Sequence, residues 1–238
     1  MIDARLLDYG TDLLQARLGK EGFVRLSAGQ CRAILNLDAR DWAPFAASFG
    51  DLGQDSYMAD GGRYRRRRHA AFRLERGRIM RKAHQPHYQS RDYNRLNGDV
   101  QRWFSPVEEH VAGGAVMRAV FALCGATFAR DGGRHHVEMH QFRIETGAEI
   151  GRPTPEGLHR DGVNHVFVML VERRNVREGV TRIGTADGAP LGEFMLAEPC
   201  DAVMLDDRRV LHGVTEIHAE KPDMPAWRDA LVVTFKRD

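Results

Sequence analysis

Cysteine is scarce in this chain: Cys31, Cys124 and Cys200 are the only three in 238 residues, and they stand far apart. No CxxC pair exists, so a zinc knuckle or dithiol redox centre is excluded, and an odd, dispersed set builds no disulfide framework. Such thiols fit a reducing compartment, where each serves as a small buried hydrophobe, and the expected location is cytoplasmic. An excess of one charge is also missing. Lys and Arg number 35 against 33 Asp and Glu, for a formal net charge of +2, so the chain as a whole lacks the basic character of a nucleic-acid binder. Its apolar runs fall far short of the ~20 residues a spanning helix needs. The N-terminal MIDARLLDYGTDLLQARLGK is amphipathic and acid-containing, without the apolar stretch of a secretory signal. A membrane partner is therefore not expected. That first segment reads as a surface helix turning Leu6, Leu7, Leu13, Leu14 and Leu18 inward.

What is present, 42% hydrophobic and 29% charged residues, suits one globular domain over 1–238 with a substantial core. The texture changes near residue 132. Before it, a first helix, a short GFVRLSA strand and a second helix in QCRAILNLDAR lead to the basic RYRRRRHAAFRLERGRIMRK, and residues 84–103 read as a long loop. A helix is expected from Pro106 to about Arg130, with Ser105 as N-cap, Pro106 at the first helical position and acids in the first turn. From 133 to 238, short strands bounded by Gly, Pro or Asp follow one another: HHVEMHQFRIE, HVFVMLVER, GVTRIGTA, GEFMLAE, DAVMLDD, LHGVTEIHA and DALVVTFKR. Many short strands of this kind make a sandwich or barrel. The expected class is α+β, a jelly-roll or cupin-like barrel of residues 133–238 supported by helices and extra strands of residues 1–132.

Three pairs have the form His-x-acid: His136 with Glu138, His159 with Asp161, and His218 with Glu220. Context separates them. His159 and Asp161 lie in GLHRDG, between a Pro/Gly-rich approach and the apolar HVFVMLVE. On extended backbone, residues i and i+2 face one side, so one ion can collect both. His212 follows DAVML and a turn-like DDRR. Two imidazoles and a carboxylate in this order make the facial triad of non-haem Fe(II) oxygenases, in which the remaining coordination positions stay open. The rival is a cupin-like site of His136, Glu138 and His140, which alternate on one strand face. His218 and Glu220 precede Lys221-Pro222-Asp223 and read as solvent-exposed.

Arg228 opens the last apolar strand. Beside such a triad its planar fork matches the far carboxylate of a dicarboxylic acid. In the basic stretch, alternation sets Arg65 and Arg67 on one face with Arg63 and His69, and Tyr64, Arg66 and Arg68 on the other. Either face reads as solvated; alternatively, Arg65 and Arg67 bind the carboxylate of a small acidic or amino-acid substrate. Aromatic residues are too sparse there for a base-stacking platform. Gln141 and Arg143 share a strand face in MHQFRIE and either contact substrate or are held by hydrogen bonds inside the barrel.

GLHRDG, PCDAVMLDDRRVLHGVT and RDALVVTF together resemble the iron(II)/2-oxoglutarate-dependent dioxygenases, in particular the branch of L-isoleucine 4-hydroxylase and related free amino-acid hydroxylases. GGRYRRRR, MHQFRIE and RRNVREGVTRIG add to the resemblance, which runs from about Gly61 to the end and is firmest from Met139 onward. It implies a double-stranded β-helix with His159, Asp161 and His212 as Fe(II) ligands and Arg228 on the C5 carboxylate of 2-oxoglutarate. It also implies consumption of O2, release of succinate and CO2, and hydroxylation of a small molecule, a free L-amino acid. The chain departs from the family at Glu178-Gly179-Val180, where a Gly-Gly is frequent. Two other readings stand beside this one: a dioxygenase acting on a protein or nucleic acid, and a non-catalytic cupin-like metal-binding module. Homo-oligomerisation is left open.

Overall fold

Apolar residues at helical spacing set the N-terminal helices. The computed structural model describes residues 4–94, 96, 98–147 and 149–238, with side chains from residue 10 onward. In α1 (Ala4–Glu21), Leu14 and Leu18 are buried one turn apart, whereas Leu13 is 55% exposed and so leaves the inward face expected of it. Leu6 and Leu7 lie outside the described side chains. After β1 (Phe23–Leu26), α2 (Ala28–Leu35) opens on a capping box between Ser27 and Gln30 and closes on left-handed Asn36. At the start of α3 (Ala39–Ala47), the Asp38 carboxylate accepts from the backbone N–H of Arg40 and Asp41. The hairpin of β2 (Arg65–Glu75) and β3 (Arg78–Arg81) turns on Arg76 and Gly77, both at positive φ, as a two-residue turn requires.

The single helix expected from Pro106 is corrected. Ser105–Pro106 is a short strand, β4, paired in parallel with Arg68 and His69; α4 (Glu109–Ala112) and α5 (Ala115–Phe128) follow as separate helices. The break is Gly113-Gly114, where a Cβ on Gly114 would stand 2.9 Å from the His110 carbonyl oxygen.

The rest is strand: β5 (His135–Thr146), β6 (His165–Arg174), β7 (Val176–Glu178), β8 (Val180–Gly184), β9 (Pro190–Met195), β10 (Ala202–Asp206), β11 (Leu211–Val214), β12 (Ile217–Ala219) and β13 (Ala226–Arg237). The single strand expected in LHGVTEIHA is two, and β12 pairs with the unforeseen β7. One large sheet runs β1-β10-β6-β13-β5-β2-β3 with β4 on β2, and a second runs β11-β8-β9. The fold is thus mixed α/β with mostly antiparallel sheets. The N-terminal region supplies β1 to β4 to the large sheet itself, β2 lying directly against β5.

Alternation divides the large sheet into two faces. Phe72, Leu74, Val137, Met139, Leu231 and Val233 pack with the helices in the main core. On the other face, Val166 and Leu170 of β6 pack with Ile183 of β8, joining the two sheets. Between the sheets lies a cavity of about 310 Å³. It is lined from β2 by Arg65 and Arg67, from β5 by His136, Glu138, His140, Phe142 and Ile144, and from β13 by Arg228, Ala230, Val232, Thr234 and Lys236.

Candidate active site

A backbone bridge brings the two distant histidines together. His159 and His212 exchange N–H···O bonds of 3.0 and 2.9 Å across the loop before β6 and strand β11, and their ring centroids are 4.6 Å apart. Asp161, two residues on, faces the same side: its Oδ1 lies 3.7 Å from His159 Nε2 and its Oδ2 3.5 Å from His212 Nε2. The carbonyl of Gly157, 2.9 Å from His159 Nδ1, can only accept, so the ring proton sits on Nδ1 and the Nε2 lone pair is free. One donor atom from each of the three residues falls within 4.8 Å of the others, and all three line the cavity. Two imidazole nitrogens and one carboxylate, with an open side, suit a divalent transition metal. Burial pushes the Asp161 carboxyl up. Hydrogen bonding and charge from His212, with the charge of His159, outweigh this and hold it below its ordinary range.

Asp207 ties the set together. Its buried carboxylate accepts the backbone N–H of Asp161, Gly162 and Val163 at 3.0, 2.9 and 3.1 Å, and its Oδ1 is 3.7 Å from His212 Nδ1. Gly162 sits at φ 78°, with the Tyr93 ring where a Cβ would point, so the turn needs glycine. From the segment 84–103, Gln89 donates through Nε2 to both the backbone oxygen and Oδ1 of Asp161, at 3.2 and 3.1 Å, while its Oε1 accepts from Arg102. Glu156 approaches His159 Nε2 to 3.6 Å and keeps a buried Oε2 without a partner among the described residues.

Arg228 is 3% exposed and lines the same cavity, and its Nε and Nη2 have no partner among the described residues. Burial, with Arg173 nearby, pushes the guanidinium down to about 10. A buried guanidinium with idle donors is costly and suits an arriving carboxylate. Gly179, at φ 77°, keeps this wall open, since a Cβ there would lie 2.8 Å from Ile217 and 3.8 Å from Arg228 Cδ. In the departure from the Gly-Gly pattern, Glu178 itself takes φ 63°.

The four substrate candidates divide. Arg65 and Arg67 line the cavity, but Arg65 is engaged by Asp55 at 2.7 Å. Arg67 lies over the rings of Phe104 and Phe142, at 4.0 and 4.6 Å, donates to His140 Nδ1 at 2.9 Å and has a buried Nε without a partner among the described residues. Burial pushes it down to about 9. Gln141 and Arg143 are corrected: they project from the opposite face of β5. Gln141 donates to Ser48 and Arg143 pairs with Asp229 at 2.6 Å. Arg66 and Arg68 are neutralised by Glu145 and by Asp51 with Glu108. The rival set also changes membership. Glu138 and His140 converge with His69 and His87, whereas His136, outside that group, contacts Lys82 through Nδ1 at 2.7 Å and keeps Nε2 3.4 Å from Glu138.

The chain belongs to the 2OG-Fe dioxygenase family, whose model matches residues 46–234. It is a 2-oxoglutarate-dependent iron oxygenase, of a family that uses Fe(II), 2-oxoglutarate and O2. A crystal structure of a bsmA homolog from Methylobium petroleophilum is 34% identical with a TM-score of 0.87, over 95% of this chain and 93% of that one. The fold is shared with IDO from Bacillus thuringiensis, at 17% identity and TM-score 0.79 over 96% and 99% of the two chains. It is shared too with the Fe(II)/α-ketoglutarate-dependent dioxygenase TqaL, at 15% and 0.77 over 98% and 88%. No curated protein matches the chain. Among the described residues, no helix is long and apolar enough to cross a membrane.

Proposed function

We propose that this oxygenase hydroxylates a free L-amino acid, with His159, Asp161 and His212 holding Fe(II) and Arg228 holding the C5 carboxylate of 2-oxoglutarate. When bound, iron and 2-oxoglutarate supply the oxidising power that turns a C–H bond into an alcohol, with succinate and CO2 as co-products. The chain's own residues orient and enclose. Asp207 fixes the Asp161 turn, Gln89 holds Asp161 from the other side, and Arg228 would hold the far carboxylate of the dicarboxylate. The two sheets are read as a double-stranded β-helix, and residues 1–238 as one domain. Three buried, unpaired cysteines support the cytoplasmic location.

The observation that carries the substrate class is Arg67. Its guanidinium is clamped between two rings, with an idle Nε, in a cavity of about 310 Å³. That volume lies at the small end of ligand sites, about 300–1,000 Å³, which favours a small carboxylate over a polymer. Glu156 Oε2 offers an acceptor for an ammonium group in the same cavity. Arg66 and Arg68 are paired with acids, which withdraws those two charges from nucleic-acid phosphates.

Succinate release is expected to rise with one member of an L-amino-acid panel. Arg67→Met should then raise KM for that amino acid about 30-fold or more, the lower range for truncating one side of a buried charge pair, with a smaller change in kcat. Stimulation by peptides or oligonucleotides and by no amino acid would overturn the reading. Asp207→Asn should weaken Fe(II) binding about 10–100-fold, as loss of outer-shell support does; titration of metal-free protein measures it.

A further inference from the structure

We propose that His69, His87, Glu138 and His140 form a second metal site, for a borderline transition-metal ion such as Zn2+ or Co2+, in the wall of the cavity. Three parts of the fold build it. His69 and His140 are direct partners in the β2/β5 register, and Glu138 precedes His140 by two on the same face. His87 arrives from the segment 84–103, where its backbone exchanges two 2.9 Å bonds with Arg102. The His69 and His140 rings stack at 4.9 Å, and the His87 ring stands edge-on to them at 5.7 and 5.0 Å.

All four residues are buried, and one donor atom from each lies within 4.8 Å of the others. His87 Nδ1, His69 Nε2 and His140 Nε2 stand 2.7, 3.2 and 3.6 Å from Glu138 oxygens. Donors bonded to one tetrahedral ion at about 2.0–2.1 Å are roughly 3.3–3.4 Å apart. The triad's own donors stand slightly farther apart, at 3.5 and 3.7 Å. The contacts from His87 and His69 are hydrogen bonds to Glu138, and His136 Nε2 also stands 3.4 Å from Glu138 Oε1. But 3.6 Å is too long for one from His140, so hydrogen bonding to Glu138 does not by itself explain why His140 converges with the other two. Three imidazoles with one carboxylate select a transition metal over Mg2+ or Ca2+. Burial favours the neutral, ligating form of each imidazole.

One neighbour opposes the ion. Arg67 donates to His140 Nδ1, which places the imidazole proton on Nε2, facing Glu138. Ligation through Nε2 moves that proton to Nδ1 and displaces Arg67, so guanidinium and ion compete for His140. An ion in place would join the segment 84–103 to β2 and β5, stapling one wall of the cavity to the sheet.

The test counts bound metal in metal-free protein titrated with Zn2+ and with Co2+, by calorimetry and elemental analysis. Wild type should bind two equivalents and H159A/H212A one, with Co2+ absorption of a nitrogen-rich site. Adding Glu138→Gln or His87→Ala should remove that one. His87 lies outside the sheet, so its variant decides should the Glu138 variant fail to fold. Arg67→Met should tighten the site about tenfold or more, as removing a like charge from a buried position does. No ion bound to H159A/H212A, or one that survives both further substitutions, overturns the proposal. An equivalent lost with Glu138→Gln yet kept in H159A/H212A stands independently of the triad.

Discussion

His212→Ala is expected to bring 2-oxoglutarate-dependent succinate release down to background, a loss of about 10³-fold or more, since a bound metal contributes several kcal/mol to the reaction it supports. The size follows from what His212 does twice. Its Nε2 is one of three candidate donors, and its backbone exchanges both bonds of the bridge that seats His159. Alanine keeps the bridge and removes the donor, so the loss should appear in Fe(II) affinity and turnover and not in folding. The measurement is succinate formed under saturating Fe(II), beside a thermal melt of the metal-free protein. Turnover within a few-fold of wild type would remove His212 from the metal centre.

Arg228→Met separates binding from stability. Truncating one side of a buried ion pair costs about 3–5 kcal/mol, so the apparent 2-oxoglutarate affinity should fall by about 10²-fold or more. The ligand-free protein should respond in the opposite sense. Arg228 Nε and Nη2 are buried without partners, and an unsatisfied buried donor costs about 1–3 kcal/mol. A methionine of similar length removes that penalty, and the melting midpoint without ligand should rise, by about 2–4 °C for each kcal/mol recovered. Loss of 2-oxoglutarate affinity with a lowered midpoint would mean that Arg228 supports the fold and not the co-substrate. An unchanged 2-oxoglutarate requirement would place the carboxylate on another residue.

The convergence of His159, Asp161 and His212 was legible in their order and in the apolar strands beside them, although His159 and Asp161 lie in the loop before β6, and Arg228 stands near the start of the last strand. Alternation alone placed Arg65 and Arg67 together. It could not choose a face in MHQFRIE, because β5 is polar on both sides: His136, Glu138 and His140 look into the cavity, while Gln141 and Arg143 meet Ser48 and Asp229. Asp207 was hidden in DDRR, where a buried carboxylate collecting three amides looks like an ordinary turn residue. Gln89 and His87 come from a segment with no periodicity, so only the folded path reveals their targets. The helix expected from Pro106 missed the consequence of Gly113-Gly114, since helix-start signals say nothing about where a neighbouring strand recruits Ser105–Pro106.

The two-faced pattern of β2, β5 and β13 also proofreads the fold. A slip of one residue between β5 and its neighbours would turn Glu138 and two histidines, His136 and His140, toward α5 and send Val137 and Met139 into a water-accessible hollow. Both errors are penalised at once, so the wrong pairing loses oil from one side and strands charge on the other. The polar lining of the cavity therefore also acts as a registration mark, and a chain that assembles its sheet correctly has already aligned that wall.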